Sequence, residues 1–147
     1  MLGAYWGINV IVRKALLFAL AIPFLAHAET KRIECGQVTD TGVSQIIVAT
    51  IDDASDKAEV QLYAHTAECA ANNSCDTNIF KKDTLPTVIR LSSSLSPGRL
   101  SYTTIIDIDR TDLSVVTRST LSGVGQPHET TARGHCTVSV VPGKKVL

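Results

Sequence analysis

Short runs of β-branched and other apolar residues recur between turn signals along residues 29–147, and this pattern constrains the fold more than any other feature. The clearest pair is Leu100–Asp109 (LSYTTIIDID) and Leu113–Leu121 (LSVVTRSTL). These runs flank Arg110-Thr111-Asp112, a spacing suited to a hairpin loop of about three to four residues. No run carries a sustained helical stripe. About seven short strands joined by hairpins predict an all-β fold, a small antiparallel β-barrel or sandwich stapled by disulfides.

Further strands follow from the alternation of apolar and polar residues. Arg32–Val38 places Ile33, Cys35 and Gln37 on one face. Val43–Ile51 is apolar almost throughout, which predicts a strand covered on both faces. The other predicted strands are Lys57–His65, Thr87–Leu91 and Glu129–Val141, with a turn at Asp52–Asp56, a loop at Thr66–Asn78 and a break after Leu91.

The segment 1–28 has the features of a secretory signal peptide. Arg13 and Lys14 precede an apolar run from Ala15 to Ala26, and the segment ends in Ala26-His27-Ala28. The run is shorter than the ~20 residues that a membrane-spanning helix needs. We therefore predict a cleaved signal peptide at 1–28, a single exported domain at 29–147, no stable membrane anchor after cleavage, and a periplasmic or secreted location.

All four cysteines follow the predicted cleavage site, and an oxidising compartment would allow them to pair. Three pairings are possible. Cys35 and Cys136 lie in the first and last predicted strands, and Cys69 and Cys75 bracket one small polar loop, so we expect disulfides Cys35–Cys136 and Cys69–Cys75. A zinc site is the alternative, but the Cys69-x5-Cys75 spacing is wider than the usual gap of about two to four residues, and no matching second pair exists.

The charge balance argues against nucleic acid as a partner. Residues 29–147 carry twelve of the fourteen Lys and Arg residues and all fourteen acidic residues, so this part of the chain is slightly acidic. Duplex binding needs a basic stripe, and single-strand binding adds aromatic side chains for base stacking. Tyr63, Phe80 and Tyr102 are the only aromatic residues in this range. The core must therefore be built mainly from Val, Ile and Leu.

The histidines give no catalytic motif. The run His128–Ala132 (HETTA) begins like a zinc-protease motif, but Ala132 stands where the second histidine is required, so we expect a loop there. His65 and His135 are expected on strand surfaces, because no nucleophile motif accompanies them. We predict no catalytic residue, no metal site and no cofactor.

Asp107 and Asp109 share one face of a predicted strand. Two such carboxylates can bind a hard cation or act in acid–base chemistry, but the glycine-punctuated calcium loop is absent. We favour a solvated strand face on which Arg110 or Arg118 supplies the cross-strand counter-charge.

The run Ile106–Arg110 (IDIDR), followed by Gly134-His135-Cys136, resembles small exported bacterial proteins with the lipocalin-like barrels of periplasmic lysozyme inhibitors. The resemblance covers residues from about Ser101 to Val140. The family's Ser-Gly-x-x-Tyr loop is not present, since residues 96–102 read SPGRLSY, and no inhibitory residue is carried over. The resemblance implies a closed or nearly closed antiparallel barrel that works by binding.

Together these features predict a non-enzymatic periplasmic or secreted binding protein, an inhibitor or immunity protein against a cell-wall hydrolase or an exported toxin. Loops on a rigid sheet suit recognition, and the candidate surfaces are Ala67–Asn78 and Leu91–Arg99. The alternatives are a carrier of a small apolar ligand, a metal-dependent hydrolase using Asp107 and Asp109, and a structural component of an envelope assembly. The low aromatic content argues against the carrier.

Overall fold

The computed structural model describes residues 29–64, 76–123 and 125–141. Every regular element in these ranges is a β-strand, as the β-branched runs predict. The predicted signal peptide, His65 and the predicted Cys69–Cys75 pair lie outside the described residues. The strands are β1 (Thr30–Thr39), β2 (Ser44–Asp52), β3 (Lys57–Ala64), β4 (Thr77–Thr84), β5 (Val88–Leu95), β6 (Ser101–Asp109), β7 (Ser114–Ser122) and β8 (His128–Val140).

Each strand pairs with the next one along the chain in antiparallel orientation, and β8 returns to pair with β1. The strands therefore form a closed up-and-down barrel, the first of the two architectures that the sequence predicts. Closure gives each of these strands a hydrogen-bonded neighbour on both sides. In the described ranges the chain forms no helix long and apolar enough to cross a membrane.

The barrel interior follows from the alternation of side chains along each strand. Ile33, Cys35 and Gln37, which were predicted to share one face, face inward from β1, and all three are buried. Phe80 is the one aromatic residue of the described core, which confirms that Val, Ile and Leu supply most of the packing. The buried apolar cluster consists of Ile33, Cys35, Ile47, Ala49, Ile51, Ala58, Val60, Phe80, Leu91, Ile106, Ile108, Val115 and Cys136.

Within the predicted range Val43–Ile51, strand β2 is covered on both faces only at its centre. Val48 faces outward and is 3% exposed, whereas its outward-facing neighbours Ile46 and Thr50 are half-buried. The predicted two-sided burial of Val43–Ile51 is therefore confirmed for one outward position.

The hairpin predicted around Arg110-Thr111-Asp112 is confirmed as β6 and β7. Its loop spans residues 110–113, because Leu113 adopts a left-handed conformation (φ 59°) and the strand begins at Ser114. The turn at Asp52–Asp56 and the return strand after it are also confirmed.

The prediction of a loop through Asn78 is wrong at its end, because Thr77 begins an eighth strand, β4. This strand has the sequence TNIFKKDT. Its inward-facing residues are Asn78, Phe80 and Lys82, and because two of these are polar or charged, the sequence does not show the alternation of apolar and polar residues that predicts a strand. Lys82 is 6% exposed, and its Nζ donates a hydrogen bond to the main-chain oxygen of Asp52. The aliphatic part of a lysine can line a core while its amine is satisfied by a carbonyl, which is why a charged residue is tolerated here.

The predicted break after Leu91 is also wrong, because β5 continues to Leu95. Ser92, Ser93 and Ser94 were expected in a loop on composition alone, but they pair with β6 in regular register. Small polar residues fit this strand because Ser93 faces the barrel interior opposite Thr104, in a polar part of that interior.

The seam between β1 and β8 is joined covalently. Cys35 lies directly opposite Cys136, and the two form the predicted disulfide. Next to them the strands approach so closely that a Cβ added at Gly134 would lie 1.9 Å from the Gly36 oxygen. Glycine is therefore required at position 134 by the contact between the first and last strands.

Candidate functional site

The two ends of the barrel interior differ. We call the end at which β2, β4, β6 and β8 begin the open end, and the other the opposite end. The inward-facing residues from the middle of the barrel towards the opposite end are apolar and close-packed, among them Ile51, Ile108 and Val115. Towards the open end the inward-facing residues change to amides and hydroxyls, such as Gln45, Thr104 and Thr117. The barrel interior is therefore filled at the opposite end and less closely packed at the open end.

The open end holds a cavity of about 230 Å³. The residues around it come from β2, β6, β7 and β8, and all of them face the barrel interior. Most of them carry a polar group that can form hydrogen bonds. They are Gln45, Tyr102, Thr117, Ser119, Leu121, His128, Thr130 and Ala132.

A chain of hydrogen bonds fixes the floor of this cavity. The Thr117 hydroxyl donates to Gln37 Oε1 at 2.9 Å, and Gln37 Nε2 donates to Gln45 Oε1 at 3.0 Å. Gln37 and Thr117 are 3% and 4% exposed, so their polar atoms bond to each other instead of to water. Because both oxygens are occupied, the Gln45 Nε2 amide is the end of the chain, and among the described residues it has no hydrogen-bond acceptor.

An apolar and aromatic row crosses the rim of the cavity. Leu95 of β5 lies opposite Tyr102 of β6, Tyr102 lies opposite Leu121 of β7, and Leu121 lies opposite His128 of β8. We call these four residues the rim row. Leu95, Tyr102 and Leu121 are 57%, 42% and 43% exposed, although their side chains belong to the inward-facing set. The interior therefore reaches solvent at the open end.

His128 is placed differently from the prediction. The run His128–Ala132 begins strand β8 and is not a loop. The strand continues because His128, Thr130 and Ala132 alternate inward along it and line the cavity. The loop expected there is wrong because the run was compared only with a helical motif, whereas a period of two brings the same residues to one face of a strand.

Asp107 and Asp109, the two carboxylates predicted on one strand face, have different hydrogen-bond partners. Asp107 lies opposite Arg90 and accepts two hydrogen bonds from its guanidinium, at 2.7 and 3.0 Å, while Arg118 approaches it at 3.3 Å. The hydrogen bond from Arg90 lowers the pKa of Asp107, and burial opposes this only in part. The expected partner Arg118 is confirmed, whereas Arg110 instead donates to the main-chain oxygens of residues 85 and 86.

Asp109 and Asp112 stabilise the β6–β7 loop. Asp109 Oδ1 accepts hydrogen bonds from the hydroxyl and the main-chain N–H of Thr111, and these bonds lower the pKa of Asp109. Asp112 Oδ1 accepts from the Ser114 N–H at 2.8 Å, which lowers the pKa of Asp112. In the described part of the chain, no group of three or more His, Cys, Asp or Glu residues is arranged to hold a metal ion.

The surfaces predicted for recognition are only partly visible. Most of Ala67–Asn78 lies outside the described residues. Leu91–Arg99 is a strand as far as Leu95, and only the turn that follows is a loop. The cavity itself was missed because its residues come from four strands, and nothing local in the sequence indicates that they meet.

Comparisons of the chain with known protein families, with curated proteins and with solved structures find no match. The resemblance to periplasmic lysozyme inhibitors therefore stays a prediction, and the geometry of the open end carries the functional argument.

Proposed function

We propose that this protein is a non-enzymatic binding protein of the periplasm or extracellular space that recognises a protein partner with the open end of its barrel. The observation that supports this is the difference between the two ends. The opposite end is filled by an apolar core, and the open end holds a cavity bordered by the exposed rim row. An exposed apolar surface beside a cavity that offers hydrogen-bonding side chains is typical of an interaction site.

The size of the cavity favours a protein over a free ligand. Pockets that enclose drug-sized molecules usually measure ~300–1,000 Å³, and this cavity measures about 230 Å³. It has room for one side chain of a partner, while the rim row contacts the surface around that side chain. Tyr102 is the natural anchor in this arrangement, since aromatic residues at the centre of an interface contribute most to affinity.

The lining disfavours a carrier of an apolar ligand. Such a carrier would present Leu, Ile or Phe to its ligand, whereas Gln45, Thr117, Ser119 and Thr130 bring amide and hydroxyl groups to this cavity. An apolar ligand would leave the Gln45 Nε2 amide without a hydrogen-bond acceptor, at a cost of about 1–3 kcal/mol.

The barrel would hold the open end in one shape before the partner arrives. The closed ladder fixes the strands, and the Cys35–Cys136 disulfide joins the first to the last. A preorganised surface loses less entropy on binding. The disulfide is compatible with an oxidising compartment, and the predicted export signal suggests a cell-wall hydrolase or an exported toxin as the partner class.

Comparative affinity capture tests this proposal. Oxidised protein is immobilised and exposed to envelope and culture-medium fractions, in the wild-type form and as the Tyr102→Ser/Leu121→Ser variant. A Val138→Ser/Val140→Ser variant is the matched control, because these apolar residues are similarly exposed (43% and 54%) at the opposite end of the barrel. We expect a stoichiometric partner that the wild type and the control retain and the open-end variant loses. Retention of the partner by the open-end variant would contradict the proposal, whatever the control variant retains.

A further inference from the structure

We propose that the cavity at the open end binds the carboxylate or carboxamide group of a side chain that the partner inserts. This inference rests on the proposed function and specifies the chemistry of its central contact. It starts from the direction of the hydrogen-bond chain Thr117–Gln37–Gln45.

The hydrogen-bond chain determines which atoms face the ligand. Thr117 donates to Gln37, and Gln37 donates to Gln45 Oε1, so each oxygen along the chain is already engaged. Gln45 lines the cavity, and its remaining polar atom is the Nε2 amide, which can only donate. The ligand atom opposite this amide must therefore be an acceptor.

Other polar groups on the lining can also act as hydrogen-bond donors. Tyr102, Ser119 and Thr130 contribute hydroxyl groups, and His128 contributes a ring N–H. No Asp or Glu is among the residues that line this cavity. A cation would find no counter-charge in that lining, whereas planar oxygen acceptors can receive several of these hydrogen bonds at once.

The dimensions of the site select a short group carrying one or two oxygens. The buried residues Ala132 and Thr117 line the inner part of the cavity, and Gln37 accepts the hydrogen bond from Thr117. The apolar residues Tyr102 and Leu121 stand at the rim, where the aliphatic stem of an Asp, Glu, Asn or Gln side chain would pass. The polar group of the inserted side chain would thus meet hydrogen-bond donors, and its aliphatic stem would meet the apolar rim.

Titrations with small probes, followed by NMR of ¹⁵N-labelled oxidised protein, test this assignment. The probes are acetate, acetamide, methylammonium and toluene. We expect acetate and acetamide to shift the Gln45 side-chain amide and the main-chain amides of Thr117 and Ser119 saturably, with dissociation constants of about 1–100 mM for such small probes. Methylammonium and toluene should leave these signals in place.

The Gln45→Glu variant gives a second readout. A glutamate keeps the size of the side chain and can still accept from Gln37 Nε2, but it presents an acceptor to the cavity instead of a donor. We expect affinity for acetate to fall at least about tenfold and affinity for methylammonium to rise. Gln61→Glu adds the same charge on the outer face of β3 and should leave acetate binding within about twofold.

Two results would overturn the assignment. One is saturable binding of methylammonium or toluene to the wild-type cavity in place of acetate and acetamide. The other is the absence of a saturable shift with either oxygen acceptor. Failure of the proposed function would look different, because partner capture would then be insensitive to the Tyr102→Ser/Leu121→Ser change whichever probe binds.

Discussion

Cys35 of β1 and Cys136 of β8 face each other inside the barrel and are joined by a disulfide, although 101 positions separate them in the sequence. The bond lies at the seam where the ladder closes, so it joins the first and last strands of the barrel. Cys35 is fully buried and Cys136 is 6% exposed, which shields the bond from solvent.

Removal of this disulfide should destabilise the barrel strongly. A cross-link that closes a loop of this length contributes about 4–5 kcal/mol in the chain-entropy description. Cys35→Ala combined with Cys136→Ala should therefore lower the free energy of unfolding by several kcal/mol, measured by denaturant titration with circular dichroism. A loss below about 1 kcal/mol would contradict this expectation. Peptide mapping of the oxidised wild type would identify the Cys35–Cys136 link and would test the predicted Cys69–Cys75 pair.

The close approach at Gly134 predicts a large effect from one methyl group. In Gly134→Ala the new Cβ would lie 1.9 Å from the Gly36 oxygen, so β1 and β8 must separate. We expect a loss of about 2–3 kcal/mol in unfolding free energy, as for overpacked sites. Gly36→Ala is the control, because an added Cβ there meets nothing within 4 Å, and its effect should stay within about 1 kcal/mol. Equal effects of the two substitutions would refute the seam argument.

The Asp107–Arg90 pair predicts a pH-dependent contribution to stability. The pKa of Asp107 is lowered in the folded state, chiefly by the Arg90 hydrogen bond, so the contribution is fully present above the unfolded pKa of about 3.9. It is lost as the pH falls through that value towards the folded pKa. Asp107→Asn should cost about 1–2 kcal/mol near neutral pH, since the carboxylate is 15% exposed and partly screened.

The measurement is the difference in unfolding free energy between wild type and Asp107→Asn as a function of pH. The difference should shrink below about pH 4. Asp53→Asn serves as the control, because its pair with Lys31 is much more exposed and should contribute about 0–1 kcal/mol. A difference for Asp107→Asn that stays constant down to strongly acidic pH would rule out ion pairing as the cause.

The hydrogen bond between Thr117 and Gln37 should also contribute to the free energy of unfolding. Thr117→Val removes the hydroxyl that donates to Gln37 and leaves a buried amide oxygen without a donor, at a cost of about 1–3 kcal/mol. Thr120→Val alters an outward-facing position of the same strand and should change stability by less than about 0.5 kcal/mol. Thermal or chemical unfolding of both variants measures the contrast. Equal stabilities would show that the Thr117–Gln37 bond contributes little.

The parts of the fold that the sequence predicts are those with strict local alternation. Ile33, Cys35 and Gln37 lie two positions apart, so the period of a strand places them on one face, and that face is the buried one. The strand β4 escapes prediction because Lys82 faces inward, and only the closed barrel reveals the Asp52 carbonyl that accepts its hydrogen bond. Similarly, Ser92–Ser94 has the composition of a loop but is held in β5 by pairing with β6.

The candidate site depends on contacts between distant residues, so sequence patterns give little access to it. Gln37 and Thr117 are 80 positions apart, and their hydrogen bond forms only because β1, β7 and β8 adjoin in the barrel. The Arg90 partner of Asp107 was missed for another reason, because the predicted break after Leu91 hid the pairing of β5 with β6, whereas Arg118 in β7 was predicted. Local spacing identifies hairpin partners, but it does not identify partners across a barrel.

Hydrogen–deuterium exchange on the complex with the captured partner tests the central claim most directly. The account predicts added protection in the strand ends that border the cavity, at residues 93–95, 102–104, 119–121 and 128–130, with unchanged exchange in the loop at residues 110–113. Protection confined to that loop and to the turn at residues 53–56, with no change around the cavity, would contradict recognition through the open end.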